Sequence, residues 1–153
     1  MGTKQVTSGC SDAAELVSRV IRIQSCRLHC SETLGPEIQL REELAEVFYE
    51  SDESNWDGYG SLPVSIDTLR QAFCLLAELP PNIAAPSLAA LPDGAVSMEW
   101  YHSDSRQIVL SIVNGEIHYA AKLVEDRLCG SFANIDCWPK PLLTLVYRCS
   151  HQD

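Results

Sequence analysis

Positive charge is what this sequence has least of. Eleven Lys and Arg stand against 21 Asp and Glu, for a formal charge of −10. Binding along a nucleic-acid duplex needs a basic face that neutralises successive phosphates, and none is visible. The same deficit argues against docking on an anionic membrane. No apolar run approaches the roughly 18 residues of a membrane span. The opening Met1-Gly2-Thr3-Lys4-Gln5 leads into no apolar stretch, so no secretory leader is expected. Val6 stands where a myristoylation signal needs Ser or Thr. The expected setting is cytoplasmic. Several motifs that carry chemistry are also absent: GxSxG, a Walker-type phosphate loop, GxGxxG and HExxH.

The cysteines do not form a disulfide framework. There are seven, at positions 10, 26, 30, 74, 129, 137 and 149, odd in number and irregular in spacing. Free thiols that pack as small hydrophobes fit better. Cys26, His29 and Cys30 share one face of an expected helix, but zinc usually needs four ligands, or three with an open position. The missing ligands would come from Cys137 or His151, far along the chain, and no second paired motif exists. No metal or other cofactor is expected.

What is present is enough apolar material for a core. At 153 residues and 46% hydrophobic, the chain has the size and composition of one ordinary domain. Residues 1–11 are polar and aperiodic, a flexible tail. Leu16, Val17, Val20, Ile21, Ile23 and Leu28 recur at helical spacing, after a cap at Ser11 or Asp12. That helix should stop before Gly35-Pro36. A second helix is predicted over Glu37 to Tyr49, so that 12–50 forms a helical hairpin. Ser65 should cap a third helix, with Asp67 in its first turn and Pro80-Pro81 ending it. The proline-rich stretch 80–92 reads as an extended connection.

From Val96 onward the period changes to two. Val96, Met98 and Trp100 alternate with Ser97, Glu99 and Tyr101, and the segments around Ile108–Val113 and Glu116–Leu123 alternate likewise. Asn114-Gly115 between the last two is a strong type I′ hairpin signal. Glu125-Asp126 or Asp126-Arg127 is expected to turn into a fourth strand near Leu128–Phe132. Pro139 to Cys149 reads as a closing helix. The whole is an α+β domain over 12–153: N-terminal helices, a four-stranded antiparallel meander and a C-terminal helix. One face of such a sheet is usually covered and the other wet.

Asn55-Trp56-Asp57-Gly58-Tyr59-Gly60 concentrates turn-forming residues and two large aromatics in six positions. That density implies a specifically folded loop. Glu53, Asn55 and Asp57 also imitate part of a calcium loop, but position twelve of that pattern is Val64, not a bidentate Glu. Asx turns, in which Asn55 or Asp57 holds nearby backbone N–H groups, explain the pattern more simply.

From Asn55 to about Tyr147 the chain resembles a family of small bacterial proteins of unassigned function. The Asn-Trp-Asp-Gly-Tyr-Gly loop, Pro63-Val64-Ser65, Leu79-Pro80, Pro92-Asp93-Gly94, Met98-Glu99-Trp100 and the hairpin around Tyr119 carry the resemblance. It implies a bacterial or phage origin and a cytoplasmic setting, and brings no catalytic residue.

The function expected is therefore non-enzymatic: an acidic protein-interaction domain, an inhibitor or regulator of the antitoxin or anti-defence type. Its partner would be a basic protein, such as a nuclease or nucleoprotein complex, whose nucleic-acid groove an acidic surface can occupy. The candidate surface is Glu50, Asp52, Glu53, Trp56, Asp57 and Tyr59, aromatic anchors with a charged rim. The alternative is a small-molecule or metal-binding domain, or a weak hydrolase, using Tyr101 and His118 on the open sheet face.

Overall fold

A computed structural model describes residues 35–134 and 137–151. The tail, the first expected helix and the Cys26–His29–Cys30 cluster lie outside them. Within them the chain is α+β, with three helices on an antiparallel sheet.

Helix α1 spans Gly35–Ser51, starting two residues earlier than the hydrophobic pattern suggests, with Pro36 in its first turn. Proline is well tolerated there because that N–H has no helical acceptor to lose. Leu44 and Phe48, one turn apart, are its buried apolar residues among those whose burial is described. Helix α2 spans Ile66–Ala77 and starts where the sequence signal places it. Ser65 accepts the Thr68 N–H at 3.1 Å through its hydroxyl oxygen, and Asp67 sits in the first turn. Leu69, Ala72, Phe73 and Leu76 form its inner face.

The sheet has five strands, not the four expected: β1 Ser87–Ala90, β2 Val96–Ser103, β3 Arg106–Val113, β4 Glu116–Leu123 and β5 Asp126–Ala133. They lie in sequence order, every neighbour antiparallel. The additional strand, β1, falls inside the stretch read as a connection. Its prolines flank the strand at Pro86 and Pro92, so all four residues remain free to pair with Val96–Glu99. A four-residue Ser-Leu-Ala-Ala segment carries too little alternation to announce itself.

Each hairpin turn has its own chemistry. Asn114 and Gly115 both take positive φ, 50° and 84°, as a type I′ turn requires. The β4–β5 turn lies on Val124-Glu125, not on the later residues expected, because Leu123 pairs with Asp126. Val124 there adopts φ 60°, uncommon for a β-branched residue.

Helix α3, Lys140–Ser150, closes the covered face with Leu142, Val146 and Cys149, all fully buried. Helices α2 and α3 pack on the central strands, while α1 packs on β1 and α2. Beneath them Val96, Met98, Ile108, Leu110, Ile112 and Ile117 are wholly inaccessible. Each such side chain contributes roughly 1.5–3 kcal/mol by leaving water. Trp100 belongs to this layer, as its phase predicts, and its indole N–H donates to the Ala84 carbonyl at 2.7 Å. Trp138 meets it edge-on, ring centroids 6.3 Å apart, and donates to the Leu75 carbonyl at 2.7 Å. The opposite face presents Glu99, Tyr101, His118 and Ala120 to solvent. No helix among the described residues is long and apolar enough to cross a membrane.

Candidate functional site

The loop between α1 and α2 is held by its own polar groups. Asn55 takes φ 64°, and Gly58 and Gly60 take 78° and 92°. Those three left-handed residues fold the segment back on itself. The Asn55 carboxamide oxygen accepts the Gly60 N–H at 2.7 Å, and the Asn55 N–H donates to the Ser61 carbonyl at 2.8 Å. Asp57 Oδ1 accepts the Tyr59 N–H at 2.8 Å and the Ser61 N–H at 3.2 Å. The Asx-turn reading thus describes the loop: Asn55 and Asp57 direct side-chain oxygens at backbone N–H groups. The Tyr59 N–H is the main reason the Asp57 carboxyl sits below its ordinary pKa, with further help from Ser61.

The loop is also latched at both ends. The Val64 N–H donates to the Ser51 carbonyl at 2.9 Å, tying the exit to the end of α1. The Leu62 N–H donates to the Pro92 carbonyl at 2.8 Å, tying it to the β1–β2 turn. In that turn the Asp93 carboxylate accepts the Ala95 N–H at 3.1 Å. Two sequence-distant features, Asn-Trp-Asp-Gly-Tyr-Gly and Pro-Asp-Gly, are therefore one structural unit.

Within that unit the two aromatics separate. Trp56 is half-buried and donates its indole N–H to the Leu62 carbonyl at 3.0 Å, which makes it part of the latch. Tyr59 is 94% exposed. Glu50 and Glu53 are exposed, while Asp52 and Asp57 are half-buried. The six residues named for partner binding thus fall into a framework (Trp56, Asp57) and a presented set (Tyr59, Glu50, Glu53), with Asp52 at the helix exit between them. Ser61, Leu62 and Gly94 belong to the unit as well. A Ser directly after the second glycine was the available signal for Ser61; nothing local marks the Leu62–Pro92 bond.

The alternative pair does not meet. Tyr101 lies across from Gln107, whereas His118 lies across from Ser111, which in turn faces Ser97. That places them four residues apart along the strands, roughly 13 Å at the usual strand rise. Tyr101 donates its hydroxyl to Asp104 Oδ1 at 2.6 Å, and this bond, with the Asp104 charge, raises the phenol's pKa. His118 approaches Glu116 at 3.3 Å. Among the described residues no group of three or more His, Cys, Asp and Glu is placed to hold a metal ion. Set against protein-family models, curated proteins and solved structures, the chain matches no family, no curated protein and no solved structure.

Proposed function

We propose that this chain is a non-enzymatic interaction protein whose α1–α2 loop docks a basic protein partner. The observation that carries the reading is Tyr59: an aromatic ring 94% exposed at the tip of a loop whose backbone is otherwise fastened. A loop already ordered before binding avoids much of the entropy loss that association otherwise imposes, about 0.5–1.5 kcal/mol per immobilised side chain. A tyrosine offers a large contact area with few rotors and a polar tip, which suits an interface anchor. Glu50 and Glu53, exposed on the segment that leads into the loop of a chain of charge −10, would steer a basic surface toward it. Occupying the basic groove of a nuclease or nucleoprotein is the action that fits this chemistry, hence the inhibitor or regulator assignment, of antitoxin or anti-defence type in a bacterial or phage setting.

The test separates anchor from framework. Wild type and Tyr59→Ala are compared as baits at low and moderate salt, with thermal unfolding measured on both. The expected result is a stoichiometric basic protein, retained by wild type, released as salt rises, and lost by Tyr59→Ala at unchanged melting temperature. Retention of the same partner by Tyr59→Ala, or a partner insensitive to salt, overturns the reading.

A further inference from the structure

The open face carries a feature at odds with the charge of the chain. Tyr101, Gln107, Lys122 and Arg127 form one row across four strands, paired Tyr101↔Gln107, Gln107↔Lys122 and Lys122↔Arg127. Paired residues in an antiparallel sheet share a face, so Lys122 and Arg127 lie side by side on the open one. Like charges directly opposite each other destabilise a sheet. Among the described residues neither cation forms an ion pair. Of the two adjoining turns, β2–β3 supplies Asp104, whose carboxylate accepts the Tyr101 hydroxyl at 2.6 Å, and β4–β5 supplies Glu125, which pairs with neither cation. Lys122 reaches only the backbone carbonyl of Asp104, which engages one of its three ammonium protons and leaves two to donate.

The two cations border a concavity of about 470 Å³ on β3, β4 and β5. Gln107, Val109, Ala120 and Cys129 also line it, with Ala121 and Leu128. The volume lies in the range of small-ligand sites. Its chemistry is divided: an ammonium, a guanidinium and a carboxamide at one end, and the short apolar side chains of Val109 and Ala120 further along the strands. Arg127 offers a planar fork suited to an oxyanion, and Lys122 a compact point charge. Two adjacent positive charges match a dianion better than a monoanion. An aromatic or aliphatic body attached to that dianion would lie over Val109 and Ala120.

We propose that this concavity is a binding site for a small organic phosphate monoester, its phosphate held between Lys122 and Arg127 with Gln107 donating, and its apolar body on Val109 and Ala120. A phosphate monoester is mostly dianionic above pH 7, which gives the charge match. The site is independent of the acidic loop, so either reading can fail without the other.

Phenyl phosphate is the probe. The full chain is titrated with it by NMR at pH 7.5, alongside inorganic phosphate, benzoate and phenol, and the protection of Cys129 from iodoacetamide is followed in parallel. Saturable shifts at Gln107, Lys122 and Arg127, together with slowed labelling of Cys129, are expected for phenyl phosphate. Inorganic phosphate should bind more weakly for want of an apolar body, benzoate more weakly for want of the second charge, and phenol not measurably. Lys122→Gln and Arg127→Gln should each lower phenyl phosphate affinity about tenfold or more, as loss of a charge-assisted hydrogen bond implies. Both replace exposed or half-exposed side chains and should remain folded; relieving the like-charge pair should not lower the melting temperature. Absence of saturable shifts, shifts confined to other residues, equal affinity for benzoate, or undiminished binding by folded Arg127→Gln overturns the proposal. Equal affinity for inorganic phosphate overturns the assignment of an organic body.

Discussion

Gly94 lies under the carbonyl of Pro63: a Cβ placed on it would stand 2.9 Å from that oxygen. This contact, with the Leu62–Pro92 hydrogen bond, joins the aromatic loop to the β1–β2 turn. Gly94 also adopts φ +82°, so an alanine there meets both backbone strain and a backbone obstacle. Gly60, at φ +92°, has nothing within 4 Å of the same hypothetical atom. Gly94→Ala should therefore cost about 2–3 kcal/mol, and Gly60→Ala about 1 kcal/mol. Urea denaturation of the two variants measures the difference. Equal losses would mean that the latch contributes nothing beyond φ.

Asp57 makes the loop sensitive to acid. Its folded-state pKa is depressed below 3.8 chiefly by the Tyr59 N–H. A depressed carboxylate contributes its stabilisation above the ordinary pKa and loses it as pH falls through the folded value. The loop should accordingly stay closed at neutral pH and loosen only in the acid range below that of a free aspartate. NMR titration of the Asp57 carboxyl, with the Tyr59 and Ser61 amide shifts, should give one common midpoint below 3.8. Asp57→Asn keeps an acceptor and should abolish that pH dependence while retaining the turn. A midpoint at or above the ordinary value would remove Asp57 from the loop's framework.

The strands β2 to β4 were legible because alternation of Val, Met, Ile and Leu with polar residues is a direct consequence of one-sided burial. Ser65 and Asn114-Gly115 were legible because a cap and a positive-φ turn need those residue types. Strand β1 was not, since four small residues beside prolines carry no such pattern, and only pairing with β2 makes them a strand. The loop was legible as a folded object, but the division between Trp56 and Tyr59 was not. That depends on which ring the three left-handed residues turn toward the Leu62 carbonyl, a consequence of geometry rather than residue type. The row of Gln107, Lys122 and Arg127 was hidden by the turn at Val124. Turning on Glu125-Asp126 instead would have set Lys122 opposite Cys129, and the two cations would not have met.

That turn predicts its own improvement. Val124 is 54% exposed and holds φ 60°, so its side chain contributes little burial while its backbone is strained. Its N–H donates to the Ser105 carbonyl at 2.7 Å, an interaction any residue but proline can make. Glycine adopts positive φ without a Cβ clash and is favoured at such hairpin positions. Val124→Gly should raise stability by about 1 kcal/mol, the relief of a left-handed residue less the entropy of a freer unfolded chain. The urea midpoint reads this directly. A decrease would show that the Val124 side chain packs more effectively than its exposure suggests.

Cys149 offers a chemical clock for global unfolding. It is wholly buried on α3, and its thiol hydrogen points to the Trp100 carbonyl at 3.5 Å. Burial pushes the thiol's pKa up, with Arg106 pulling partly back, so the reactive thiolate is scarce as well as hidden. Cys74, Cys129 and Cys137 are exposed. Mapped by mass spectrometry, iodoacetamide should label those three at once, and Cys149 only when α3 leaves the sheet. If that opening is global unfolding and reclosing is fast, the Cys149 rate follows the unfolded population. Gly94→Ala, destabilised by about 2 kcal/mol, should then speed Cys149 labelling roughly 30-fold and leave the exposed thiols unchanged. A Cys149 rate unaltered by Gly94→Ala would instead identify α3 as a unit that opens independently of the loop and turn that Gly94 joins.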